Sequence, residues 1–229
     1  MQHPVMLLVW VLEKLGLGHF AHAYPHLVYT WFFMLVLIAL AWLASRKISL
    51  VPGRVQNVAE AVLEAVTNFQ EGIMGPKGGV FFPFMATLVT FVFFCNFNGL
   101  IPGSYAPTSN LNTTLALALT IVVSTHVIGV WKHGPGYVRH FLGPVPAMAP
   151  LMFVIESISH LARVLSLSLR LFGNVMGEDL VVSVLFMLGG AYFIPLPMMF
   201  LGLFTGFLQA YVITLLAMLY FSEAFEHAH

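Results

Sequence analysis

Arg170 stands in the run Ser168-Leu169-Arg170-Leu171-Phe172-Gly173-Asn174, inside an apolar stretch long enough to lie in a membrane. An arginine at the centre of a bilayer costs about 2.5–3.5 kcal/mol on insertion scales, so it persists only where it faces protein or a water-filled cavity. Its chemistry there is electrostatic, because a guanidinium stays protonated and attracts anions without relaying protons. At about 100° per residue, His160, Arg163, Leu167, Arg170, Asn174 and Glu178 all fall within about 40° of Glu156 on a helical wheel. Every charged side chain of residues 156–178, together with His160 and Asn174, therefore shares one stripe. Asp179 falls on another side of the wheel, and Ser159, Ser166, Gly173 and Gly177 flank the stripe with small side chains that let a second helix approach closely.

A second stripe follows near the C-terminus, where Thr205, Tyr220, Glu223 and His227 lie within about 40° of Gln209, with Gly202 and Gly206 beside them. Two such stripes packed together enclose a hydrophilic path through an apolar medium. Blander readings stand beside this one. Arg170 pairs internally with Glu178 or Asp179, although Asn174 and not an acid occupies the favourable i+4 position. Arg163 either snorkels or pairs with Glu156, and Gln209 simply holds two helices together by a hydrogen bond.

The elements that must position these residues are membrane helices. The 229 residues are 59% hydrophobic and 8% charged, far from a soluble domain, and nine basic residues balance nine acidic ones. That balance excludes the basic field that nucleic acid demands. Leu27 to Ser45 reads as a first span, followed by Arg46, Lys47 and Arg54, which mark that end as cytoplasmic and put the N-terminus outside. Residues 55–74 carry Val55, Val58, Val62, Val66, Phe69 and Ile73 at helical spacing and read as an amphipathic helix on the membrane surface. Residues 80–131 form a membrane hairpin with a Pro-, Ser- and Asn-rich loop, and Lys132 and Arg139 place the following loop on the cytoplasmic side. Residues 147–226 form two long helices, broken at Pro195 and Pro197, too long to stand perpendicular to the membrane. The expectation is thus a single all-α membrane domain over 1–229, with a cytoplasmic C-terminus and no cleaved signal peptide. Cys95, the sole cysteine, lies in an aromatic run and reads as packing.

The segment from Ser168 to Asn174, followed by Gly177-Glu178-Asp179-Leu180, resembles subunit a of the F-type ATP synthase. Leu208-Gln209-Ala210-Tyr211, Leu219-Tyr220, Pro52-Gly53-Arg54 and Pro107-Thr108-Ser109 extend the resemblance over essentially the whole chain. It implies a proton-conducting stator in the bacterial plasma membrane, beside a rotating ring of c subunits and held by b or b′ peripheral stalk subunits. The two long helices would lie tilted against the ring. Arg170 would be the essential arginine facing the ring carboxylates. Glu156, Asn174, Glu178, Asp179, Gln209 and Tyr220 would line two aqueous half-channels, with His160, Arg163 and Glu223 in support. The transported ion would be H⁺, with Na⁺ as the alternative, and no cofactor or metal is expected. Bacterial members often carry Glu or His where Asp179 stands, sometimes coupled to a His at the position of Gly202, and many have Asp in place of Asn110.

One rival is a secondary transporter or channel working alone, which predicts transport without a ring. Another is an intramembrane zinc enzyme using His19 and His22 or the C-terminal His residues. No HExxH pair, Gly-x-Ser-x-Gly elbow or phosphate-binding loop supports the latter.

Overall fold

A computed structural model describes residues 7–14, 16, 18–46, 53–101, 104–137, 149–189 and 193–226. Eight helices are found among them, with no strand: α1 (Leu7–Lys14), α2 (Gly18–Ala23), α3 (Pro25–Ser45), α4 (Arg54–Met74), α5 (Phe82–Gly99), α6 (Leu111–His133), α7 (Ala149–Gly189) and α8 (Leu196–Glu226). Five of these, α3 and α5 to α8, are long and apolar enough to cross a membrane. The chain is an all-α integral membrane protein.

Local sequence explains the boundaries. Pro25 opens α3 two residues before the expected start, at the first-turn position where its missing N–H costs nothing. Gly75 ends α4 with φ of 66°, and its N–H bonds to the Glu71 carbonyl, a left-handed stop that favours glycine. Asn110 starts α6 by accepting a hydrogen bond from the Asn112 backbone N–H at 2.9 Å. A 3₁₀ turn at Pro107–Ser109 precedes it, and another at Gly134–Tyr137 follows it. The loop positions 138–148, the break positions 190–192 and His227 lie outside the described residues.

The core sits where α5, α6, α7 and α8 meet. Met85, Val92, Ile121, Leu171, Ile213, Met218 and Phe221 are almost wholly enclosed there, and the Phe81 and Phe84 rings pack on Phe221 with centroids 5.5 and 5.1 Å apart. α8 packs mainly on α5, and α7 on α6. α3 is peripheral: Val28, Tyr29 and Phe33 join Val9 of α1, Ala21 of α2 and Cys95 of α5 in a separate small cluster. Cys95 is buried there, as packing requires. The short helices α1 and α2 were not anticipated. α4 leaves most of its length exposed and anchors itself near its end, where Phe69 stacks on Tyr211 of α8 at 4.6 Å.

At 1.5 Å per residue, α7 with its 41 residues is about 60 Å long and α8 with 31 about 46 Å, both beyond a hydrocarbon core of about 30 Å. Their length therefore requires tilt. Only 11% of the apolar window of α7 is buried, against 39% for α6, so α7 rests on the bundle along one edge and leaves a broad face open.

Candidate functional site: an open arginine between two polar clusters

Arg170 projects from the open face of α7. Its side chain is exposed, and among the described residues it has neither a hydrogen bond nor an ion pair. Glu178 and Asp179 do not reach it. Beside it, Gly173 and Gly177 are exposed, and a methyl group built on either would meet nothing within 4 Å. This chain thus leaves a shallow strip free along the arginine, shaped for a close neighbour but filled by none of its own helices.

Towards the C-terminal end of α7, the two predicted stripes meet. Asn174 donates from Nδ2 to Gln209 Oε1 at 2.9 Å, and Gln209 is buried. Its Nε2 is also buried and has no partner among the described residues. Thr205 lies 3.3 Å from Glu178 Oε2, to which its hydroxyl donates, while the same hydroxyl is 3.1 Å from the Gly202 carbonyl. A Cβ at Gly202 would fall on Glu178 Oε1, so the carboxylate occupies the space that the glycine leaves. Asp179 turns to the other side, its Oδ1 3.2 Å from where a Cβ on Gly99 of α5 would stand.

Towards the N-terminal end of α7, a second polar cluster forms. Arg163 bonds to both oxygens of Glu223 on α8, at 3.1 and 3.4 Å, and its guanidinium lies 4.8 Å from the centre of the Tyr220 ring. Of the two alternatives for Arg163, snorkelling or pairing with Glu156, the structure excludes the second. Two helical turns, about 10 Å of rise, separate those residues, whereas α8 brings Glu223 alongside. Glu156 pairs instead with His160, one turn away, at 3.1 Å.

The structure therefore brings together Asn174 with Gln209, Glu178 with Thr205, Glu156 with His160, and Arg163 with Glu223 and Tyr220. It joins Asp179 to Ser109 of the turn before α6 and leaves Arg170 alone. Residues missed in the sequence also contribute. His126 of α6 has its ring centroid 4.5 Å from that of His160, and its Nδ1 is 3.0 Å from the Tyr137 hydroxyl. A histidine inside an apolar span was a legible signal for His126; Tyr137, in a turn, gave none. Asn96 of α5 is the other omission. It accepts from Thr108 at 2.8 Å and donates to the Gly206 carbonyl at 3.2 Å, tying the hairpin loop to α8.

Comparison with known proteins places the sequence among relatives. The sequence family described as ATP synthase A chain matches residues 27–222. Over the full length of both chains, the sequence is 49% identical to ATP synthase subunit a of Desulfosudis oleivorans. It is likewise 50% identical to that of Syntrophobacter fumaroxidans and 44% identical to that of Citrifermentans bemidjiense, again with both chains covered in full.

Proposed function

The chain belongs to the ATP synthase subunit a family and is the stator subunit of an F-type ATP synthase, and from that premise we propose that Arg170 is the charge that meets the carboxylates of a rotating c ring. The observation that carries this reading is the isolation of Arg170: its polar neighbours on both sides are paired within the chain, and it is not. An intramembrane cation without a partner is costly, and a carboxylate arriving on another chain supplies one.

The mechanism follows from Coulomb's law. A carboxylic acid facing lipid keeps its proton, because burial disfavours its charged form. Within about 4 Å of Arg170 the anion gains on the order of 4 kcal/mol at an effective dielectric near 20, a factor of about a thousand in its protonation equilibrium. The proton leaves. Since the guanidinium gives up none of its own, it also separates the two polar clusters instead of connecting them, and a proton crosses only by riding the ring. Each crossing contributes about 2.3 kcal/mol per 100 mV of membrane potential.

The clusters supply the half-channels. Asn174, Gln209, Glu178 and Asp179 line one, and Glu156 and Tyr220 line the other, with His160, Arg163 and Glu223 holding its walls. Arg46 at the end of α3 and Lys132 at the end of α6 support a cytoplasmic position for those ends, and with them for the start of α7 and the end of α8. The N-terminus then faces outward and the C-terminus the cytoplasm of a bacterial cell, with the chain in its inner membrane. The ion is H⁺, and b or b′ stalk subunits hold the stator against the ring's torque.

The test uses Arg170→Ala and Arg170→Lys in the assembled enzyme, with ATP-driven acidification of inverted membrane vesicles as readout. Both variants lose pumping on this account. Pumping by the chain alone, reconstituted without a ring, would instead favour a self-sufficient transporter.

A further inference from the structure

Between Arg170 and the end of the bundle where α6 finishes, histidines from two different spans meet. His126 and His160 lie ring to ring in a T-shaped arrangement, with centroids 4.5 Å apart. Glu156 stands 3.1 Å from His160, and the Tyr137 hydroxyl 3.0 Å from His126. Every element packed on the pair contributes a polar group: Thr125 beside His126 on α6, Tyr137 from the 3₁₀ turn, Glu156 and Arg163 from α7, and Tyr220 and Glu223 from α8. Together they line a cavity of about 20 Å³, above the roughly 10–15 Å³ that one water needs. His160 lies ten residues from Arg170, about 15 Å along the helix.

We infer that His126 and His160 form a two-ring proton relay that carries protons between the half-channel beside Arg170 and the aqueous phase at this end of the bundle, with Tyr137 positioning the outer ring. The inference rests on the stator reading and deepens it. A proton arriving through the half-channel water binds a ring nitrogen of His160, and Glu156 stabilises the imidazolium. His160 passes its proton to Nε2 of His126 across the ring contact, and His126 releases it outward from the same nitrogen. Each passage returns both rings to their starting state, and only N–H and O–H bonds are made or broken. Two imidazolium charges at this distance repel, so the pair is best loaded with one proton. Arg163, held by Glu223, keeps its charge engaged with that carboxylate. Tyr137 lies outside the span, where burial, followed by the carboxylates of Glu223 and Glu156, pushes its phenol up from the ordinary value. It therefore keeps its proton, and its oxygen accepts from Nδ1–H, which selects the tautomer of His126 whose Nε2 is free to take up and release the relayed proton.

The experiment measures passive proton flux through the assembled membrane sector, with the catalytic headpiece removed, in inverted vesicles under a potassium diffusion potential. The variants are His126→Gln, His160→Gln, the double variant, Tyr137→Phe and Arg170→Ala. In weakly buffered alkaline medium the double variant should lose roughly tenfold or more of the flux, the scale of general acid–base catalysis. Imidazole added to the medium should restore it while leaving wild type unchanged. Tyr137→Phe should alter the pH profile of the flux more than its maximum. Wild-type flux in the double variant, or a loss that imidazole does not relieve, would overturn the relay. If the double variant fails to assemble, His126→Gln decides by the same two criteria. ATP-driven pumping by Arg170→Ala vesicles that keep the headpiece would overturn the stator mechanism itself, whereas loss of that pumping in Arg170→Ala beside wild-type passive flux in the double variant overturns the relay alone.

Discussion

The carboxylate of Glu178 on α7 fills the space above Gly202 on α8 that any larger residue would need, with the Thr205 hydroxyl as its hydrogen-bond partner. A side chain at position 202 would thus compete with this carboxylate for one volume between the helices. The two positions are alternatives in space, which makes their coupling testable.

Gly202→Ala puts a methyl where Glu178 Oε1 lies, but the carboxylate is the far end of a flexible side chain and can swing aside. The subunit should therefore assemble in normal amount. Coupled pumping should fall by about tenfold, the factor that about 1.4 kcal/mol represents. Adding Glu178→Asp, which shortens the acid, should recover part of the loss. Full pumping in Gly202→Ala would show that the site tolerates a displaced carboxylate.

Asn174, one helical turn beyond Arg170, donates a hydrogen bond to Gln209 of α8. Asn174→Leu strips the buried Gln209 carbonyl of its donor, a cost of about 1–3 kcal/mol, whereas replacing both partners by Leu relieves it. The thermal midpoint of the purified complex should drop in the single variant and recover in the double. ATP-driven acidification should not recover, because the polar lining is gone. A double variant that is both stable and active would make this contact a mere tie between helices.

Asn96 fastens the hairpin loop to α8 through Thr108 and the Gly206 carbonyl. Asn96→Leu leaves the Thr108 hydroxyl, which is fully buried, without its acceptor. The expected loss is about 1–3 kcal/mol, read as a lower thermal midpoint and faster proteolysis in the loop. Asn110→Ala, which removes only the cap of α6, should cost about 1 kcal/mol. Equal effects of the two would argue against Asn96 as the loop's anchor.

Much of this arrangement was legible because an apolar solvent makes polar residues conspicuous. The stripe from Glu156 to Glu178 stood out against Leu and Val at a 3.6-residue period, and the spans followed from length and hydropathy. The isolation of Arg170 was also readable, since the i+4 position holds Asn174. What one helix's periodicity does not carry is the approach of another helix. Glu223 reaches Arg163 across 60 positions of sequence, so the nearer Glu156 looked like its partner. The meeting of His126 with His160 is of the same kind, a contact fixed by the crossing of α6 and α7. Helices α1 and α2 escaped notice because eight and six residues are too few to display a period, and their stability comes from docking against α3 and α5.

The central claim is that Arg170 ejects the ring's proton and at the same time separates the two half-channels. One measurement addresses both parts: ATP-driven proton pumping and passive proton leak compared in the same Arg170→Ala membranes, before and after removal of the catalytic headpiece. The account predicts no pumping, together with a passive leak at or above the wild-type level, because the barrier between the polar clusters has gone. Wild-type pumping without the arginine, or a membrane sector that becomes impermeable to protons while still assembled, would contradict it.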